Sequence, residues 1–274
     1  MKKKLKINKR AKWKLTEPPV KLQLDYYKAL MAYTSEIAKI FKAEVFPAVE
    51  KAASKGLLDA EKTPIDIAFE SFMTKATELS RAKINKAAKK MISGVEVFQR
   101  NLFVSNIKKS FGVDIEAIVN QKNVATEIKA AEKWNFDLIK SIKESYRDRG
   151  RVIVDEGLRT GRAQKDMVKD LLNLGGFDER YKGTEQRRAK LIVRDQSQKF
   201  AKSIDLARQK NIGVKHFIWV NVADDRVRDN HNLWGGHRFA YADPPDGFLP
   251  GDDVQCRCHA KPDLEDLLSA LENL

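Results

Sequence analysis

Only two of the 274 residues are cysteine. A fold built on disulfides, of the small secreted kind, is therefore excluded. Long apolar runs are missing too, and nothing approaches the roughly 20 residues that a membrane-crossing helix needs. No repeat or low-complexity linker interrupts the first 210 residues. The opening stretch, "MKKKLKINKRAKWKL", holds no acid at all. It also lacks the apolar centre and small-residue cleavage site of a secretory signal, so the expectation is a protein made and kept in a cytoplasm.

What is abundant is positive charge, unevenly placed. Of a net +14, residues 1–15 carry +8 through Lys2, Lys3, Lys4, Lys6, Lys9, Arg10, Lys12 and Lys14. Residues 221–274 hold eleven acids against five bases, which is −6, so +12 falls on residues 16–220. A basic body with a basic tail suits an anionic partner such as nucleic acid, held through phosphates and sensitive to salt. The bland alternative is a solvated surface with a solubilising tail.

The hydrophobic pattern predicts a mainly α chain that closes in a small α+β module. Residues 1–20 read as a basic, flexible tail ended by "TEPPV". Residues 21–123 read as a helical region: one helix from Leu22 with Pro47 as a possible kink, a second from Pro64 to about Ser93, and a third after Gly94. "FGVDIEAIVN" reads as a short connection. Helical spacing resumes from Val124 to about Gly161, followed by a short helix stopped at Gly175 and Gly176. A further helix, capped at Thr184, reaches about residue 211. Then "HFIWVNV" (216–222) is β-branched and aromatic and reads as a strand, and "VQCRCHAKP" as a second. Residues 263–274 read as an acidic tail or short helix.

All four histidines and both cysteines lie within residues 216–259. Such clustering raises zinc, with His231, Cys256 and Cys258 as candidate ligands. The spacing is against it, because structural zinc sites favour cysteines two to four residues apart on converging turns. On a strand, Cys256 and Cys258 would share one face, with Arg257 and His259 turned away. A bridge between cysteines two apart would be strained. The sequence therefore favours small thiols packed in a tight core, with no cofactor. Cysteine catalysis with His231 has no orienting group or oxyanion hole that can be named. In "WVNVADDRVRDNH", Arg226 and Arg228 could pair with Asp224 or with acids of the 243–253 loop, or else bind phosphate. Gln196 falls on an apolar helical stripe beside Arg194 and Asp195, which suggests that "RDQ" docks its helix on the C-terminal module.

Taken in order, "LIVRDQSQKFAKSIDLARQKNIGVKHFIWVNVADDRVRDNH" and "DPPDGFLPGDDVQCRC" resemble the Mu F-like minor head (head morphogenesis) proteins of tailed bacteriophages. The matching positions are Arg194, Asp195, Gln196, Gly213, Trp219, Asp224, Arg226, Arg228, His231, Gly236, Pro244, Pro245, Pro250, Gly251, Cys256, Arg257 and Cys258. Trp234 stands where the family has leucine, and Leu249 where it often has histidine. His237 and His259 are not at family positions. The resemblance implies a head morphogenesis domain over 124–262, with helices to 211 and the α+β module over 212–262. It implies a non-enzymatic minor capsid protein of the virion, in the capsid interior or at the portal vertex. The implied partners are the portal protein, the major capsid or scaffolding protein and packaged double-stranded DNA, with no membrane in assembly. The alternatives are a non-specific DNA-binding protein, or a phage-encoded effector that carries such a domain.

Overall fold

The computed structural model describes residues 5–55, 64–121, 124–174, 182–222, 224 and 226–273. The chain is mainly helical with a small sheet near its C-terminal end. The helices are α1 (Leu24–Lys55), α2 (Pro64–Glu78), α3 (Ala82–Phe111), α4 (Glu116–Gln121), α5 (Ala125–Arg159), α6 (Gln164–Leu174), α7 (Lys182–Asn211), α8 (Asp229–Trp234) and α9 (Leu264–Glu272). The strands are β1 (His216–Val220), β2 (Arg238–Ala240) and β3 (His259–Pro262).

Several boundaries differ from those expected. Pro47 lies within a continuous α1. The helix expected to run from Pro64 to Ser93 stops at Glu78, and the next begins at Ala82, whose N–H points to Ser80 Oγ (3.4 Å). The serine offers the new helix an acceptor for a free N–H, as N-terminal caps do. Gly94 does not start a helix but lies inside α3, where a β-carbon would come within 3.0 Å of Leu22 Cδ2. The connection at 111–120 contains α4, started by Asp114 Oδ1, which accepts from Glu116 N–H (3.0 Å). The expected stop at Gly175 and Gly176 lies outside the described residues, and α7 begins at Lys182, ahead of Thr184.

The chain divides into two compact units that do not follow the boundaries expected at 20, 123 and 262. One consists of Asp25–Ala88 and Trp134–Leu191. Its core centres on Phe41, which meets Phe46, Phe69, Phe72 and Tyr146 edge to face at 5.1–6.2 Å. Gly150 permits this packing, since any side chain there would run into the Phe41 ring. Arg151 lies 4.4 Å over Phe69 and pairs with Asp66 at 2.5 Å.

The other unit consists of Met1–Leu24, Lys89–Lys133 and Ile192–Leu274. Its antiparallel sheet has the order β2-β1-β3, with Phe217 opposite Phe239 and Pro262, and Trp219 opposite Ala260. The inward residues of β1, Phe217 and Trp219, are fully buried and meet Phe103, Ile107, Phe111, Cys256, Cys258, Leu267 and Leu271 in one core. Of the two readings of the last stretch, tail or short helix, residues 263–273 take the short helix. Asp263 caps α9 by accepting from Glu265 and Asp266 N–H, and Asp266 Oδ2 accepts from Lys215 and His216 N–H at 2.6 and 2.9 Å.

The N-terminal segment also departs from expectation. Residues 5–19 are not a free tail but lie along α3: Asn8 N–H donates to Ser110 O (2.7 Å), Lys14 N–H to Asn106 Oδ1 (3.0 Å), and Asn106 Nδ2 to Lys14 O (2.9 Å). Leu5, Ile7 and Trp13 pack on the core, while Lys6, Lys9, Arg10, Lys12 and Lys14 are exposed. The alternation is that of an extended strap with one apolar face. Among all the positive charges of the opening stretch, the sequence pattern concealed these apolar anchors.

Candidate functional site

The site begins with a polar seam on α7. Asp195, Lys202 and Gln209 are seven residues apart, nearly two helical turns, and so share one face. All three are buried, and each grips the backbone of the last segment of the unit. Asp195 Oδ1 accepts from Gln255 N–H (2.6 Å), Lys202 Nζ donates to Cys256 O, and Gln209 Nε2 donates to Ala260 O (3.0 Å). Tyr241 Oη donates in turn to Gln209 Oε1 (2.5 Å). A buried hydrogen bond of this kind adds about 1 kcal/mol net, and orphaning its partner costs more. Gly251, at φ +105°, lets the Lys202 stem pass where a β-carbon would collide with it.

The seam fixes the Cys-Arg-Cys segment. It lies in irregular backbone just before β3, not on a strand as expected, because Gln255 takes a left-handed turn (φ 57°) immediately ahead of it. Both thiols are buried, at 5% and 3% exposure. Arg257 turns the other way and clasps Asp224 with two bonds of 2.6 Å. That guanidinium, helped by the Arg226 N–H, holds the Asp224 carboxyl well below the usual range against the opposing effect of desolvation. So the main partner of Asp224 is Arg257. Arg226 is largely exposed and reaches it only at 3.3 Å. Arg228 instead donates to Val254 O (3.0 Å) and lies 3.6 Å from Asp253.

Short helix α8 carries His231, 3% exposed, to the thiols. Its Nδ1 lies 3.7 Å from Cys256 Sγ and 3.5 Å from Cys258 Sγ, and its Nε2 lies 3.1 Å from Asp253 Oδ2. The imidazole stacks on Trp234 (5.3 Å, 28°) and meets Trp219 edge-on (5.1 Å). Trp219 Nε1 has no acceptor of ordinary geometry, but its N–H favours the thiolate of Cys258. The Cys258 thiol draws the Cys256 thiol below its ordinary value, against burial and with help from Lys202, and the same contact pushes Cys258 up. His231, Cys256 and Cys258 form a donor set of the kind that soft and borderline divalent ions take.

The remaining residues named from sequence support this corner. Gly236, at φ +82°, donates its N–H to Trp219 O (2.8 Å), and His237 O accepts from Trp219 N–H. Pro250 and Gln196 are buried, and Arg194 O accepts from Ser197 Oγ. His259 turns away, to within 3.5 Å of Glu17. Lys2, Lys3 and Lys4 lie outside the described residues. Sequence reasoning missed Lys202, Gln209 and Glu17, and reached Asp253 only as one of the acids of the 243–253 loop. The heptad spacing in "RDQSQKFAKSIDLARQ" was a usable clue to the first two.

Beside the seam, a pocket of about 20 Å³ is lined by Asp205, Lys202, His259, Gln99 and Trp13 among others. Asp205 keeps some accessible surface, but it lines this pocket and is otherwise enclosed. Burial raises its carboxyl to about 6, although His259, Gln209 and Arg208 oppose the rise. The folded chain therefore holds this proton more tightly than the unfolded one. Its contribution falls as pH rises from about 4 through 6. Asp205→Asn is expected to remove the loss, stabilising the chain by about 1–2 kcal/mol at pH 7 and by little at pH 4. Urea midpoints at the two pH values would check this, and equal shifts at both would refute it.

Residues 151–261 match the model of the family described as "Phage Mu protein F like protein". A Haemophilus influenzae protein, described as uncharacterized, is 33% identical over 171 residues, which cover 62% of this chain and 37% of that protein. The matched stretch thus spans little more than a third of the relative. No solved structure matches. The matched segment runs from within α5 into β3 and includes the whole Cys-Arg-Cys corner, with His231, Asp224 and the α7 seam. Over residues 151–261 the chain is thus similar to the Phage Mu protein F-like family.

Proposed function

We propose that this chain is a minor head protein of a tailed bacteriophage. It acts in head morphogenesis by docking on the portal or on the inner capsid, and contacts the packaged DNA. The observation that carries this reading is the Mu F-like segment itself, with Asp195, Asp224, His231, Cys256, Arg257 and Cys258 joined in one packed corner. The role is structural: the corner holds a small module in one shape, which a docking surface requires. In this reading the protein resides in the virion, in the capsid interior or at the portal vertex. Among the described residues no helix is long and apolar enough to cross a membrane.

The exposed row of Lys6, Lys9, Arg10, Lys12 and Lys14 favours DNA as one partner. It also supports a second reading, a non-specific DNA-binding protein that works away from capsids. Peptide mass spectrometry of purified, DNA-filled particles, with the portal protein as copy-number standard, separates the two. A few copies per portal ring are expected. Absence from full particles, with presence in infected cells, would overturn the head-protein reading in favour of an assembly factor or a separate DNA-binding role.

A further inference from the structure

We propose that His231, Cys256 and Cys258 bind one zinc ion that locks the Cys-Arg-Cys segment to α8. The inference rests on the corner's geometry and does not depend on the head-protein reading. Three observations carry it. A tetrahedral zinc with bonds of about 2.3 Å to sulfur and about 2.0–2.1 Å to nitrogen sets its nitrogen and sulfur donors about 3.6 Å apart. Here the Nδ1 to Sγ separations are 3.5 and 3.7 Å, with all three donor atoms within 4.8 Å of one another.

The second observation is the carboxylate behind the histidine. Asp253 Oδ2 lies 3.1 Å from His231 Nε2, the nitrogen turned away from the thiols. Accepting the Nε2 proton fixes the tautomer in which Nδ1 carries a free lone pair toward the sulfurs, as outer carboxylates do for zinc-bound histidines. Asp253 itself is held beside the site by its O, which accepts from Cys256 N–H (3.1 Å).

The third is the surrounding shell. Trp219 is fully buried, and its Nε1–H has no hydrogen-bond partner. Trp219 and Trp234 pack against the imidazole. The irregular backbone at 255–258 also answers the objection from spacing, since the thiols converge through the turn at Gln255 and not through a strand. The three protein donors leave a fourth position for water.

The same groups resemble a cysteine, histidine and aspartate in line, and Asp253 supplies the orienting group that sequence reading could not name. Nucleophilic use fits poorly. Both thiols approach the same nitrogen, both are buried, and the pocket next to Lys202 is lined by neither of them nor by His231.

The test is a Co(II) titration of the full chain, purified under reducing conditions and stripped with chelator. One equivalent is expected to produce thiolate-to-cobalt charge transfer in the near ultraviolet with the intense visible bands of tetrahedral cobalt. One equivalent of zinc should then displace it. Elemental analysis of chain purified without chelator should find about one zinc per chain. Cys256→Ser and Cys258→Ser should each lose the charge-transfer spectrum or weaken it sharply, and His237→Asn should keep it. Asp253→Asn, which preserves the ligands, should weaken zinc binding about 10–100-fold. Absence of the tetrahedral spectrum in the unmutated chain, with thiol alkylation equally fast with and without zinc, would overturn the proposal. The cluster would then be a hydrogen-bonded core.

Discussion

Trp219→Ala is expected to lower the free energy of unfolding by about 3–5 kcal/mol, the range for emptying a large buried aromatic site. Trp219 is fully buried and touches Phe217, Phe239, His231 and Trp234. It lies on the central strand β1, and its ring meets Phe239 of β2 and His231 and Trp234 of α8. The cavity cannot close readily, because its walls are held by strand pairing to Phe239 and Ala260 and by the α7 seam. Trp219→Phe should cost less, about 1–3 kcal/mol, because it keeps most of the ring but removes the indole N–H beside Cys258. Urea unfolding followed by circular dichroism gives both values. A loss under about 1 kcal/mol for the alanine variant would mean that the ring is not a keystone of this core.

The second large effect concerns the strap. Changing Lys6, Lys9, Arg10, Lys12 and Lys14 together to glutamine is expected to weaken binding to random double-stranded DNA about 10²–10³-fold near physiological salt. The log–log salt slope should become shallower by about four. These side chains are exposed, while the neighbours that hold the strap, Leu5, Ile7, Trp13 and Asn8, stay in place. Removing residues 1–15 would be a poorer experiment, since it also strips Trp13 from Phe103 (ring centroids 6.1 Å) and Lys14 from Asn106. Filter binding across a salt series, with a check that the thermal midpoint is unchanged, would read the effect. Unaltered affinity and slope would remove the strap from any account of DNA contact.

The pattern along the chain gave α5 with its closing turn near Gly161, the strand that carries Trp219, and the switch from helical to mixed grammar after residue 211. Each is local: helical periodicity, glycine at positive φ, β-branched and aromatic runs. β2 escaped notice because three residues, Arg238 to Ala240, carry too little pattern, and it exists through pairing with β1. The division into units was also out of reach. It follows from which distant segments pack together, and Lys89–Lys133 packs with residues beyond 192.

The corner divides along the same line. The family resemblance marked Asp224, His231, Cys256, Arg257 and Cys258 as a set, whereas the alternation expected to turn Arg257 from the thiols assumed a strand that the segment does not form. Their partners came from three dimensions. Asp224 had two arginines nearby in sequence and took a third, Arg257, thirty-three residues away, because only that one meets it bidentately. Asp253 came to orient His231, and Lys202 came to hold the Cys256 carbonyl, through packing between segments far apart in the chain. Residue types and periods act over a few turns of chain, so they specify elements and their buried faces. Pairings between elements are chosen by burial and by the need to satisfy each buried polar group, and those conditions exist only once the fold has closed.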